Sequence, residues 1–183
     1  MKSQLQAGRI KLVQTERKHA PALFLFWSDP DVTRYMNIET FTNVDEAITM
    51  IDLLNKLAAK KQANRYTIMT GQNDTIVGSC GFNYFDYDNE KAEIGYDLGK
   101  EYWGKGFASE AVTILLQYGF QELNLNRIEA KVAPENARSK KLLEKLGFYY
   151  EGLLRESEKT KEGFIDAMLY SILQKDFQSK IFK

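Results

Sequence analysis

The strongest chemical signal in the sequence is a ten-residue segment, residues 99–108, that reads Gly-Lys-Glu-Tyr-Trp-Gly-Lys-Gly-Phe-Ala. Gly104 and Gly106 lie two positions apart, with Lys105 between them, where a predicted strand gives way to a predicted helix. The first turn of a helix has unpaired N–H groups and a partial positive charge, and glycine lets the backbone approach a phosphate closely. The segment therefore suits a phosphate-bearing ligand, although most glycine-containing helix starts bind no phosphate. An ordinary tight turn between a strand and a helix is the alternative.

The spacing of this segment excludes two common phosphate-binding motifs. The Walker loop needs a Gly-x-x-x-x-Gly-Lys-Ser/Thr pattern, which is absent. The dinucleotide fingerprint needs a third glycine where Ser109 stands, and an acidic residue at a strand end about 20 residues later. A pyrophosphate on another kind of carrier remains open.

The composition excludes several further classes of protein. The 183 residues carry 25 Lys and Arg against 25 Asp and Glu, and this zero net charge argues against a general nucleic-acid partner, although a local basic patch stays possible. Cys80 and His19 are single, so no disulfide framework, cysteine cluster or two-histidine zinc site can form, and no metal is expected. No apolar run suits a signal peptide or a membrane span, so a cytoplasmic protein is expected.

Hydrophobic periodicity predicts the elements that must position the glycine segment. The predicted strands cover residues 9–15, 65–70, 75–83, 91–98, 127–132, 148–156 and 164–173. The predicted helices cover residues 18–28, 43–61, 106–123 and 136–146, with a short helix or loop at 31–41. Turns are predicted at 71–74 and 159–163. Three consecutive strands indicate an antiparallel meander, and the strand–helix–strand unit 91–132 indicates one parallel crossover, so we expect a mixed α/β sheet.

Two stretches of sequence carry a family resemblance. They read AEIGYDLGKEYWGKGFASEAV over residues 92–112 and LNRIEAKVAPENARSKKLLEKLGFYYEGLLRE over residues 125–156. They resemble the acetyl-CoA-binding half of the GNAT N-acetyltransferases, and most of all the ribosomal-protein N-terminal acetyltransferase branch. The resemblance is strong over residues 91–157 and collinear over 9–177. It implies a single domain over 1–183 with its core at about 9–177. It also implies a mostly antiparallel sheet of six to seven strands, with a V-shaped splay near Leu98 and helices on both faces.

The resemblance implies acetyl-CoA as the cosubstrate and assigns residues to it. The backbone at the end of the strand would pair with the pantetheine arm through Tyr96, Asp97 and Leu98. The backbone N–H groups of the loop would hold the pyrophosphate, over Trp103, Gly104, Lys105, Gly106, Phe107 and Ala108. Asn136 would hydrogen-bond the pantetheine arm, and it is equally a good N-cap for the helix that follows. Glu101 departs from the family, which favours Gln or Arg there.

The resemblance also implies direct attack by an amine, without an acyl-enzyme, so no nucleophile role is expected for the lone cysteine. The amine must lose a proton, and Glu93 is the candidate base, with a merely solvated or paired carboxylate as the alternative. Many relatives use a tyrosine to protonate the leaving thiolate. Leu143 stands at that position here, so Ser139 or a water is the substitute. A backbone N–H near Leu98 or Gly99 could meet the developing oxyanion.

The acceptor is expected between residues 24–41 and the closing hairpin at 156–164. The first region offers apolar and aromatic side chains in Trp27, Tyr35, Met36 and Phe41, and carboxylates that could attract an amine in Asp29, Asp31 and Glu39. Core packing and solvated charge explain each of these residues equally well. The acceptor is a protein N-terminal α-amine or a small molecule such as a polyamine, aminoglycoside or amino acid. A non-catalytic CoA-binding sensor is the other alternative. We expect a monomer or homodimer, with no nucleic acid or membrane partner.

Overall fold

One eight-stranded sheet dominates the computed structural model, which describes residues 1–70, 73–160 and 163–181. The strands are β1 (Gln4–Ala7), β2 (Ile10–Gln14), β3 (Asn64–Thr70), β4 (Ile76–Asp86), β5 (Lys91–Leu98), β6 (Arg127–Val132), β7 (Tyr149–Thr160) and β8 (Gly163–Leu173). The helices are α1 (Ala20–Trp27), α2 (Pro30–Thr33), α3 (Val44–Ala59), α4 (Phe107–Gln121), α5 (Ala137–Leu146) and α6 (Gln174–Ile181). The sheet order is β1-β2-β3-β4-β5-β6-β8-β7.

The mixed sheet and its single parallel crossover are confirmed. β5 and β6 pair in parallel across α4, and every other neighbouring pair is antiparallel. The expected strand count of six to seven is wrong, because β1 adds an eighth strand. β1 has four residues, of which only Leu5 is buried, so it is too short to show an alternating pattern. Gly8, with φ of +61°, turns it back onto β2.

The V-shaped splay is confirmed, but it begins earlier than Leu98. Three pairs join β5 to β6, and the last joins Glu93 to Glu129. The remaining part of β5, residues 94–98, pairs with β4 alone. Since a strand carries hydrogen-bonding groups on both sides, this part of β5 has backbone groups that face the opening.

Helices cover both faces of the sheet, as expected. Neighbouring residues of β4 show this, because successive side chains of a strand point to opposite faces. Val77 belongs to the larger core, which α4 covers, whereas Ile76 packs on the smaller core formed by α1, α2 and α3. The crossover helix α4 buries nine of its 15 residues, which agrees with its largely apolar sequence.

Helix boundaries follow their caps. The side chain of Asn43 accepts a hydrogen bond from the N–H of Glu46 at the start of α3, and Gly147, with φ of +92°, ends α5. Residues 17–19 form a 3-10 turn before α1, so the predicted helix begins two residues later than expected. The terminal helix α6 was not predicted. Parts of the two predicted turns, residues 71–72 and 161–162, lie outside the described residues.

Within the described ranges, no helix is long and apolar enough to cross a membrane.

Candidate active site

A cleft of about 980 Å³ opens where β5 and β6 diverge, between the glycine loop, the start of α4 and the first turns of α5. Nine of the twelve residues predicted to bind the cofactor or take part in catalysis line it: Tyr96, Asp97, Leu98, Trp103, Gly104, Gly106, Ala108, Asn136 and Ser139. Three others do not line it: Glu93, Lys105 and Phe107. The Lys105 ammonium lies 5.9 Å from the centre of the Tyr102 ring instead, and Phe107 is buried in the larger core.

The loop presents a run of free backbone donors. Among the described residues, none accepts a hydrogen bond from the N–H groups of residues 104–109. Gly104 and Gly106 both have a positive φ, of +73° and +86°, which concentrates successive N–H groups in one concave turn. No side chain caps α4, so the positive end of its dipole adds to the same field. This arrangement suits an anion.

Close contacts hold the loop against the end of β5. The indole N–H of Trp103 donates to the Leu98 carbonyl at 2.9 Å. The Arg138 guanidinium of α5 lies 4.5 Å from the centre of the Trp103 ring, on the cleft side. A Cβ added at Gly104 would meet nothing within 4 Å, so the backbone there is open to a ligand.

The free edge of β5 has a defined pattern of donors and acceptors. The N–H of Gly99 donates to the Val77 carbonyl at 3.0 Å, so Gly99 cannot also meet an oxyanion. Because backbone groups alternate along an antiparallel ladder, those of Leu98 and Tyr96 then point away from β4, towards the opening. Those of Asp97 point towards its partner in β4. The strand therefore offers two of its three predicted residues, not all three, for backbone pairing.

The side chain of Asp97 has a different role from the one predicted for its backbone. Its carboxylate accepts hydrogen bonds from the Trp27 indole at 3.1 Å, from the Ser79 hydroxyl at 2.6 Å and from the Arg65 guanidinium. The side chains of Asp97 and Arg65 are 2% and 12% exposed, so this ion pair is buried. The network joins α1 to β3, β4 and β5 behind the cleft.

Two hydroxyl groups meet inside the cleft. The Tyr96 and Ser139 oxygens are 2.6 Å apart. Burial raises the pKa of Tyr96 to about 12. The Asn136 side chain accepts from the Ser139 N–H at 3.1 Å and so caps α5, while it also lines the cleft. Leu143 is fully buried and supplies no proton donor.

Glu93 lies at the point where the two strands part. Its carboxylate accepts a hydrogen bond from the Asn83 amide at 3.3 Å and is 3.4 Å from the Lys131 ammonium, which also pairs with Glu158. It is half-buried on the face of the sheet opposite α4. The structure thus places Glu93 beside the opening, in a paired state, rather than on the wall of the cleft.

A basic rim, which the balanced composition conceals, surrounds the cleft. Its members are Arg34, Lys100, Arg138, Lys141 and Lys145. Three of them recur on one face of α5 at a helical spacing, and that spacing was the signal in the sequence. Lys100 pairs with Asp31 of α2, and this contact lowers the pKa of that carboxyl.

Only some of the residues expected to contact the acceptor lie at the cleft. Tyr35 and Met36 line the cleft together with Asp31, whereas no described residue of the closing hairpin does. Trp27 is 2% exposed and packs edge-on against Phe41 at 5.7 Å, so both belong to the smaller core. Asp29 caps α2 through the N–H of Asp31.

The single cysteine and the single histidine are both buried. Cys80 is fully buried, and burial raises the pKa of its thiol to about 12, so no thiolate nucleophile forms there. His19 is 3% exposed, and its Nδ1 accepts from the Glu16 N–H and contacts the Thr67 hydroxyl. The described residues contain no group of three or more His, Cys, Asp or Glu that could hold a metal ion.

Comparison with known proteins gives the family. Residues 9–149 match the family model of the acetyltransferase (GNAT) domain. The chain is 52% identical over 173 residues to the uncharacterised N-acetyltransferase p20 of Bacillus licheniformis, covering 94% of this chain and 97% of that protein. It is 31% identical over 103 residues to the ribosomal-protein-serine acetyltransferase of Escherichia coli K12, covering 56% and 58%.

A solved structure agrees with these sequence matches. The microcin C7 self-immunity acetyltransferase MccE, in complex with acetyl-CoA and AMP, superposes with a TM-score of 0.82 at 25% identity, covering 91% of this chain and 93% of that one. The chain belongs to the GNAT family of N-acetyltransferases.

Proposed function

We propose that the protein transfers an acetyl group from acetyl-CoA to a primary amine, by direct attack within a ternary complex. The observation that carries this proposal is the run of free N–H groups at residues 104–109, beside the unpaired edge of β5. A pyrophosphate needs several convergent donors, and an extended arm needs a strand edge, so the two features together fit this donor better than a simple anion.

The chain's own residues divide the binding of acetyl-CoA between them. The N–H groups of residues 104–109 hold the pyrophosphate, and the basic residues of α5 at the rim add charge for its phosphates. Tyr96 hydrogen-bonds the pantetheine arm through its backbone, and Asn136 contacts it from the start of α5. The buried network of Asp97 keeps the strand end rigid.

Acetyl-CoA supplies an activated acetyl group as a thioester. Glu93, at the point where the strands part, accepts the proton that the attacking amine loses, through a water molecule. The Leu98 N–H faces the opening and stabilises negative charge on the carbonyl oxygen. As the C–N bond forms and the C–S bond breaks, Ser139 donates a proton to the departing sulfur. Tyr96 keeps its own proton and donates a hydrogen bond to Ser139.

For the acceptor we favour a protein N-terminal α-amine. Support comes from the similarity to the ribosomal-protein-serine acetyltransferase. A small-molecule amine is the second candidate, and the likeness to MccE, whose structure contains AMP, favours it.

A turnover screen separates these possibilities. The release of free CoA thiol is measured with peptides that have free N-termini, with polyamines, with aminoglycosides and with amino acids, and Nα-blocked peptides are the matched control. We expect turnover with free peptides that the blocked forms lack. Turnover with small amines alone would instead support a small-molecule N-acetyltransferase. Acetyl-CoA binding by calorimetry without turnover on any amine would indicate a sensor module, and no binding would contradict the proposal.

A further inference from the structure

The hairpin at the start of the chain contacts the back of the phosphate-binding loop. Arg9, in the turn between β1 and β2, donates from Nη2 to the Lys105 carbonyl and from Nε to the Glu110 carboxylate at 2.7 Å. Its guanidinium also lies 4.4 Å from the centre of the Phe107 ring. None of these side chains lines the cleft, so Arg9 approaches the loop from the side away from the ligand.

The contact with the Lys105 carbonyl fixes the direction of one N–H group. In a trans peptide the C=O and the following N–H point in opposite directions. Because the carbonyl of Lys105 points to Arg9, the N–H of Gly106 points the other way, towards the cleft that Gly106 lines. Glycine has the conformational freedom to let this peptide turn over. A reversed peptide would aim its carbonyl at the phosphates and repel them.

Arg9 also neutralises a carboxylate near the proposed anion site. Glu110 lies in the first turn of α4, and its Oε2 is buried without a partner among the described residues. Its other oxygen pairs with Arg9. Without Arg9, both oxygens would lack a cation close to the place where the pyrophosphate binds, and like charges would oppose each other.

We infer that Arg9 is a positioning residue for cofactor binding: it holds the peptide between Lys105 and Gly106 in the orientation that presents its N–H to the pyrophosphate. This inference rests on the proposed binding of acetyl-CoA. It predicts that loss of Arg9 weakens the binding of donors that carry the pyrophosphate and leaves donors without it unaffected.

The test compares two donors in three variants. Arg9→Met keeps the aliphatic stem that packs on Phe107 but removes the N–H groups that donate hydrogen bonds. Arg9→Lys keeps the positive charge but lacks the planar guanidinium that donates to two partners at once. Arg17→Met is the matched control, because Arg17 makes a similar two-contact pair with Asp52 on the surface, away from the cleft. The dissociation constant for CoA is measured by calorimetry. KM and kcat are measured for acetyl-CoA and for S-acetylpantetheine, which lacks the phosphates.

We expect Arg9→Met to weaken CoA binding roughly tenfold, the effect of losing about 1.4 kcal/mol. Arg9→Lys should give a smaller loss and Arg17→Met none. The values for S-acetylpantetheine and the kcat at saturating acetyl-CoA should not change in any variant. If Arg9→Met does not fold, the test rests on Arg9→Lys: its affinity for CoA should fall while its values for S-acetylpantetheine stay unchanged.

Two results would overturn the inference. Unchanged CoA affinity in Arg9→Met would show that the loop needs no clamp. An equal loss for both donors would show a general structural defect. Failure of the unmodified protein to bind CoA is a different outcome, since it contradicts the proposed function itself.

Discussion

The Tyr96 and Ser139 hydroxyls are 2.6 Å apart, close enough for one to donate a hydrogen bond to the other. Because burial raises the pKa of Tyr96 to about 12, this phenol keeps its proton at neutral pH. It can therefore donate to Ser139 Oγ, and in the proposed mechanism the serine proton then goes to the departing sulfur. Under this proposal the pair replaces a tyrosine acid at the position that Leu143 occupies.

Replacement of Ser139 tests this assignment. We expect Ser139→Ala to lower kcat about 10²-fold, the usual contribution of a positioned acid, with little change in the KM for acetyl-CoA. Tyr96→Phe should lower kcat less, since the serine proton remains. Ser28→Ala, at the end of α1, serves as the control. A Ser139→Ala enzyme with full kcat across the pH range would transfer the role to water.

At the scale of elements, the glycine loop contains a position, Gly104, where no protein atom lies close to the backbone. A side chain at Gly104 would collide with no protein atom, but it would occupy the place that we propose for the pyrophosphate. We expect Gly104→Val to fold with a strain of about 1–2 kcal/mol and to bind CoA roughly tenfold or more weakly.

The sequence offers a matched control for this glycine. Gly152 of β7 also has a positive φ, of +153°, and open space around it, and it lies outside the cleft. Gly152→Val should therefore bear a comparable strain without losing CoA affinity. Equal affinities in the two valine variants, measured by calorimetry, would contradict the proposed position of the pyrophosphate.

The Asp97 network joins one helix to three strands, so its loss should be a loss of stability. Asp97→Ala leaves the Arg65 guanidinium buried without its partner, and we expect the free energy of unfolding to fall by about 3–5 kcal/mol. Urea unfolding measures this change. Asp52→Ala breaks an exposed pair with Arg17 and should leave the urea midpoint nearly unchanged. Equal midpoints in the two variants would refute the structural role.

The elements themselves were largely predictable from sequence, because β5, β6 and α4 show clear periods of their own. The features that the sequence did not predict have physical reasons. β1 is defined by its pairing with β2 and not by its four residues, and Arg9 reaches a loop 96 residues away through tertiary structure alone. Likewise the pairing of Glu93 with Lys131 depends on a parallel contact between two strands that no local pattern encodes.

At the scale of the whole molecule, a net charge of zero coexists with a basic rim around the cleft. The net charge is a sum over the whole sequence and does not show where the charged side chains lie in the structure. The balance therefore argues against long-range attraction to nucleic acid, while a local field at the cleft can still favour phosphates.

The stability of the whole fold should depend on pH through the single histidine. Burial, and to a lesser degree Lys18, lowers the pKa of His19, whereas Glu16 acts in the opposite direction. Below about pH 6.5 the unfolded chain takes up a proton that the folded chain resists. The free energy of unfolding should therefore fall as the pH falls from about 6.5 to 5.

His19→Asn isolates this effect, because its Oδ1 can replace Nδ1 as the acceptor for Glu16 and Thr67 without titrating. Urea unfolding of this variant should show a flatter profile over that range. Carboxyls whose pKa is lowered by their partners, such as Asp86 and Glu151, act only at more acidic pH. An unaltered profile in His19→Asn would assign the dependence to other groups.

The contacts of Arg9 join two parts of the chain that are synthesised far apart in time. During synthesis the hairpin of β1 and β2 precedes its partners in and beside α4 by about a hundred residues. At about 5–20 residues per second, that interval is roughly 5–20 seconds. During it Ile10 and Leu12, fully buried in the finished protein, have no helix to cover them. These two strands must therefore wait for the helix that completes their packing, and until then their exposed apolar side chains favour aggregation.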